Sequence, residues 1–229
     1  MVEITDLWKR YPGTWALNGI SLTVPKGRVV GVLGENGSGK STLFRILAGV
    51  TRPTKGTVSI QNQPVGLETR RVTAYLPEVD PYYPWMTVGE QLRFLSAFYP
   101  GWDWTKSDEL IELMGLDRDK KLGALSKGMR ARVKVVAAFS WPSALVLLDE
   151  PLGGIDPPSR RRIMEGLFNE YRSGEQTILM STHLVGEIEE FVEDVAYIRE
   201  GEIVLQGNAD ALREEHETSL SGIFDTVAT

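Results

Sequence analysis

Cysteine is absent from this 229-residue chain. Disulfides, cysteine zinc sites and thiol nucleophiles are therefore excluded, and the composition suits a reducing compartment such as the cytosol. Histidine is scarce: His183 and His216 are the only two, too few for a multi-histidine metal site. No apolar run approaches the roughly 20 residues of a membrane helix. The longest, such as Ala144 to Leu148, have the length of a strand. The opening residues, MVEITDLWKRYPG, lack the basic-then-apolar pattern of a secretory signal. The expectation is a chain that is not secreted by that route and does not span a bilayer alone. An excess of positive charge is missing too, since 25 Lys and Arg stand against 31 Asp and Glu. The chain as a whole is not a polybasic nucleic-acid binder, and no direct nucleic-acid partner is expected. What is present is an ordinary globular balance, 42% hydrophobic and 24% charged, over a length that can bury a sizeable core.

The first third reads as β-rich. Val2–Trp8 and Ile20–Val24 alternate, and Arg28–Leu33 is a short apolar run of the kind that makes a buried strand. A glycine-rich loop follows, then a helix over Ser41–Ala48. Thr57–Ile60 and Val72–Leu76 read as further strands. The middle changes to helical periodicity at Val88–Phe98, Lys106–Met114 and Lys127–Phe139. Strands and helices then alternate: strands at Leu145–Leu148, Thr177–Ser181, Val195–Arg199 and Glu202–Gln206, helices at Pro158–Tyr171 and Val185–Val192. The tail from Asn208 reads as helical and polar, with His216 on its surface. Such alternation implies an α/β fold with a parallel, helix-covered sheet. Eight of the 20 aromatics fall between Tyr82 and Trp104. Phe94 and Phe98, four apart, read as core packing of a helical insertion. Tyr82, Tyr83 and Trp85 stand among prolines and turn residues, so they read as a contact loop.

Two motifs carry chemistry. Gly34-Glu35-Asn36-Gly37-Ser38-Gly39-Lys40-Ser41 matches the phosphate-loop pattern and sits between a buried strand and a helix, the context that pattern needs. Glycines let backbone N–H groups wrap a phosphate, and the helix N-terminus, with Thr42 in its first turn, adds partial positive charge. Lys40 is placed to reach the β/γ-phosphates and the Ser41 hydroxyl to bind Mg²⁺. Leu145-Val146-Leu147-Leu148-Asp149-Glu150 is a buried strand ending in two carboxylates. Asp149 would lie beside the phosphate loop, where it can serve Mg²⁺. Glu150, one residue on, turns to the other side, towards a γ-phosphate and its attacking water. Ser126-Lys127-Gly128 at a helix start is either another anion-binding arrangement or simply a serine N-cap.

The order of these motifs resembles the nucleotide-binding subunit of an ATP-binding-cassette transporter over nearly the whole chain. The resemblance implies a P-loop core over 1–78 and 142–229, an antiparallel β-part, and an inserted helical subdomain over 79–141. It implies Mg-ATP hydrolysis, with ATP and Mg²⁺ as cofactors. The family signature, usually Leu-Ser-Gly-Gly-Gln, reads LSKGM here. Ser126 and Gly128 are kept, and Lys127 and Met129 replace a glycine and the glutamine. That signature would act on the ATP of a second cassette subunit, identical or related, in a head-to-tail dimer. Gly153-Gly154-Ile155-Asp156 matches the loop that crosses the dimer interface, and His183 the histidine that touches the γ-phosphate. Tyr11 stands where the family stacks an aromatic on adenine, with Trp15 as a competing candidate. Glu78 stands where the family usually has a glutamine near the metal. A carboxylate there can approach Mg²⁺ and makes ATP binding more dependent on it. YLPE followed by an aromatic stretch and MTVGEQL resembles the subgroup serving type-2 (ABC-2) exporters. Phe98-Tyr99-Pro100-Gly101-Trp102-Asp103 and SKGM resemble a branch linked to antibiotic or cell-envelope export. The implied partners are separate membrane permease subunits touching Glu78–Trp85, and the implied location is the inner face of the cell membrane. A soluble cassette ATPase that remodels another assembly, or a weakly hydrolysing regulatory subunit, are the competing readings.

Overall fold

The computed structural model describes residues 1–152, 155–170 and 175–228. Two sheets organise it. The first is antiparallel, in the order β2-β1-β4-β5, from β1 (Val2–Tyr11), β2 (Thr14–Val24), β4 (Lys55–Ile60) and β5 (Gln63–Pro64). The second has six strands in the order β10-β9-β3-β8-β7-β6. Its members are β3 (Val29–Leu33), β6 (Thr73–Leu76), β7 (Leu145–Asp149), β8 (Thr177–Thr182), β9 (Asp194–Arg199) and β10 (Glu202–Asn208). The strands from β9 to β6 pair in parallel, and β10 closes one edge antiparallel. The sequence expectation of an α/β fold with an antiparallel β-part therefore holds.

The parallel strands are apolar at consecutive positions because both of their faces are covered. On β7, Leu145 and Leu147 point into one core and Val146 and Leu148 into the other. The first core packs the antiparallel sheet (Leu7, Leu17, Ile20) against Leu43, Phe44 and Leu47 of α1 (Lys40–Leu47). A short α2 (Leu67–Arg70) leads into β6. The second core is filled by α3 (Val88–Ser96), α4 (Trp104–Leu113) and α5 (Lys127–Phe139), through Leu92, Leu110 and Val136 among others. Each of these helices starts on a side-chain cap. Thr87 accepts from the Glu90 N–H while Glu90 receives the Thr87 N–H; Asp103 caps α4 and Ser126 caps α5.

Three expectations are corrected. Val185–Val192 is no α-helix: a 3-10 turn covers Val185–Glu187, and the rest is turns. Val185, Ile188 and Val192 are still buried, so the apolar spacing was satisfied by turns, helped by a helix-weakening Gly186. The tail is only half polar. After α6 (Pro157–Glu170) and α7 (Ala209–His216), α8 (Leu220–Ala228) buries Leu220 and Ile223 and lays Phe224 against Tyr197, ring centroids 4.6 Å apart. Phe94 and Phe98 are surface residues, 39% and 64% exposed, because α3 turns Val88, Gln91 and Leu92 inwards.

Candidate active site

The carboxyl ends of β3, β6, β7 and β8 lie side by side, and chemistry gathers there, as open α/β sheets arrange it. The phosphate loop follows β3. Its glycines are required by contact: a Cβ on Gly34 would meet the Ile198 carbonyl at 2.3 Å, and one on Gly39 the Ala16 carbonyl at 2.4 Å. Gly39 precedes α1 with no side-chain cap, which leaves the helix's first N–H groups for an anion. The Ser38 hydroxyl is buried without a hydrogen-bond partner, and Asn36 and Gly37 are exposed at the loop crown. The buried Lys40 donates to the carbonyls of Gly34 (2.7 Å) and Glu35 (2.9 Å), so its ammonium lies across its own loop. Thr42 is buried in the first turn of α1.

Glu150 is drawn to the same place. Its Oε1 is 3.2 Å from Lys40 Nζ, an ion pair without hydrogen-bond geometry, and its Oε2 is 2.9 Å from His183 Nδ1. The side chain is 7% exposed, and its backbone is left-handed at φ 47°. A bulky residue in that region is strained, and such strain clusters at functional sites. The backbone is held by Ser181, whose carbonyl and hydroxyl both receive the Glu150 N–H.

Asp149 is 1% exposed. Its Oδ1 accepts from Ser41 (3.0 Å) and Ser181 (2.8 Å), and its Oδ2 accepts from the Tyr75 hydroxyl (3.3 Å). These three donors are neutral, so a buried negative charge is oriented by them but not neutralised. Hard oxygens on Ser41 and Asp149, 3.0 Å apart, fit Mg²⁺, which takes few protein ligands and completes its shell with phosphate and water. Glu78 is exposed; it lines, with Asp149, Tyr75 and Arg45, a cavity of about 450 Å³. The Glu78 carbonyl accepts from Lys134 of α5, which also donates to Pro77 and pairs with Asp80. Burial lowers the Lys134 pKa.

The remaining sequence candidates lie apart from this cluster. Tyr11 ends β1 half-buried, with Lys9 5.0 Å from its ring. Trp15 starts β2, stacked edge-on against Trp8 and with Arg10 5.4 Å from its ring. The hairpin they flank passes over the phosphate loop at Ala16. Ser126 is an exposed N-cap whose hydroxyl accepts from the Met129 N–H; Lys127 is exposed, Gly128 buried and Met129 half-buried. Asp156 is exposed just before α6 and accepts from the Arg160 N–H through its carbonyl. Gly153 and Gly154 lie outside the described residues. Tyr83 and Trp85 are 41% and 66% exposed, while Tyr82 packs on the second core. Sequence reasoning gave no role to Ser181 or Tyr75. A hydroxyl at the end of a strand next to the one bearing Asp149 is the only signal they carry, and the strand order supplies it.

Comparisons with known proteins bear on the family and the fold. Residues 17–153 match the family model described as ABC transporter. The ABC transporter ATP-binding protein YtrB of Bacillus subtilis is 30% identical, over 99% of this chain and 78% of its own length. The Nod factor export ATP-binding protein I of a Rhizobium species is 32% identical, over 94% and 73%. A solved structure of an ATP-binding subunit of an ABC transporter superposes at a TM-score of 0.89, with 27% identity and complete coverage of both chains. Among the described residues no helix is long and apolar enough to cross a membrane. With its phosphate-loop sequence and fold in place, the chain belongs to the ABC transporter family, as an ATP-binding subunit with that family's ATPase domain.

Proposed function

We propose that this subunit hydrolyses Mg-ATP in a head-to-tail dimer to drive an exporter whose membrane-spanning part is a separate permease, and that it works at the inner membrane face. In this reading Glu150 accepts a proton from the attacking water and orients it, helped by His183. Lys40 and the N–H groups of the phosphate loop hold the γ-phosphate charge. Ser41 and Asp149 hold Mg²⁺, with Glu78 at its margin; the metal supplies charge neutralisation on the phosphates. Tyr11 stacks on the adenine. Ser126 to Met129 and Asp156 face the ATP of the second cassette, the same chain or a related one. Residues 79–141 act as the helical subdomain against a core of 1–78 and 142–229.

The observation that carries the catalytic part is the clustering of Lys40, Glu150 and His183 beside the Ser41–Asp149 pair. The permease contact rests on exposed aromatics. Trp85 and Tyr83 (ring centroids 4.9 Å apart) continue through Phe94 (5.9 Å) to Phe98 (5.2 Å), a surface row of rings. Exposed aromatics in a row suit a protein partner. Export, over other cassette work, is supported by the likeness to a Nod factor export subunit. The natural absence of cysteine makes the test direct: in Trp85→Cys the new thiol is the only one in the chain. Expressed with the membrane protein that co-purifies with it, this variant should cross-link to that protein. Cross-linking from Glu202→Cys on the far edge strand β10, with none from position 85, would place the contact elsewhere.

A further inference from the structure

We propose that Tyr75 is a positioning residue for the metal side of this site: its hydroxyl holds the Asp149 carboxylate so that Oδ1 faces Ser41. The inference rests on the reading of Asp149 as the carboxylate that serves Mg²⁺.

Tyr75 lies on β6, paired in parallel with Leu147, two residues before Asp149 on β7. Its hydroxyl is 3.3 Å from Oδ2, whereas Ser41 and Ser181 both take Oδ1. An aspartate turns readily about its last torsion, where the rotamer wells are broad and two-fold. Donors on Oδ1 restrain that torsion from one side; a donor on Oδ2 restrains it from the other as well. The direction of the Tyr75 bond is also set. A carboxylate oxygen can only accept. Tyr75 therefore spends its one proton on Asp149. An arginine in direct contact would neutralise Asp149 and compete with a divalent ion. A neutral hydroxyl orients the carboxylate and leaves its charge for the metal.

The test is equilibrium binding of a fluorescent ATP analogue titrated with Mg²⁺, starting in EDTA, for the whole chain and its Tyr75→Phe and Asp149→Asn variants. Tyr75→Phe keeps the ring and should raise the Mg²⁺ midpoint about 5- to 10-fold, the scale of one hydrogen bond to a charged group. Binding in EDTA should stay unchanged, and Asp149→Asn should raise the midpoint further. An unmoved midpoint in Tyr75→Phe beside a raised one in Asp149→Asn overturns the role of Tyr75 and leaves that of Asp149 standing. An unmoved midpoint in Asp149→Asn instead removes the reading of Asp149 itself. Equal weakening with and without Mg²⁺, together with a lower Tm, marks a merely structural tyrosine and also overturns the proposal. Should Tyr75→Phe not fold, Tyr75→Leu takes its place: the same rise in midpoint is expected, and none overturns the inference.

Discussion

At the carboxyl edge of the six-stranded sheet, the side chains of Lys40, Asp149 and Glu150 are buried, and each is held by at least two groups. At the start of α5, Ser126 is exposed, and its hydroxyl accepts from its own helix. Both are anion sites in the family reading, yet they are built on opposite plans. The first is preorganised: its dipoles and charges are fixed before any phosphate arrives, which is where electrostatic catalysis draws most of its strength. The second is a presented surface, a helix N-terminus with a small capping residue, which gains a use when something is brought to it. In that reading the difference teaches that the catalytic groups are gathered within one chain while the enclosure is left for a partner to complete.

The largest effect expected is on the buried end. Glu150→Gln should lower ATP turnover about 100-fold or more while the isolated chain still binds nucleotide. Because the hydrolysis step is blocked with ATP retained, the variant should also sediment as a dimer more readily. Turnover within a few-fold of the parent would remove Glu150 from the chemistry and with it the contrast between the two ends.

Ser126→Ala sharpens the contrast from the other side. Losing a hydrogen bond to a phosphate should lower turnover about 10-fold, with nucleotide affinity of the monomer untouched. The lost cap should cost about 1 kcal/mol of stability, seen in denaturant unfolding. A drop in the monomer's own nucleotide affinity would mean that Ser126 serves its own chain's ATP, and the division drawn above would collapse.

The smallest effect concerns the hairpin above the loop. Tyr11→Ala should weaken nucleotide binding about 5- to 10-fold, at the low end of what base–aromatic stacking contributes. Trp15→Ala should change it less, since Trp15 is already engaged by Trp8 and Arg10. The reverse order, measured by fluorescence titration, would transfer the adenine contact to Trp15.

Much of the fold could be read along the chain, because parallel strands covered on both faces leave apolar runs and the phosphate loop needs glycine at Gly34 and Gly39 for reasons of contact. α5 matches its expected bounds, Lys127–Phe139, since a serine cap and a steady apolar face mark both ends. What failed has a common physical cause: one-dimensional spacing does not say which side faces inwards. Phe94 lies on the outer face of α3 and Phe98 just past its end, both exposed. Val185, Ile188 and Val192 are spaced for a helix, and turns bury them equally well. Tyr75 and Ser181 escaped notice because their partner, Asp149, is a neighbour only across the sheet.

β7 separates two cores that otherwise share little: α1 with the antiparallel sheet on one side, and the helices α3 to α5 on the other. It is a party wall, plastered on both faces, and Asp149 and Glu150 are mounted on its end. A methyl group removed from Leu147 and one removed from Leu148 open voids in different rooms, but both shift the same fixture. Protein engineers wishing to stabilise either half by repacking should therefore expect the change to be felt as altered nucleotide chemistry, even when every substituted side chain lies out of reach of the phosphate.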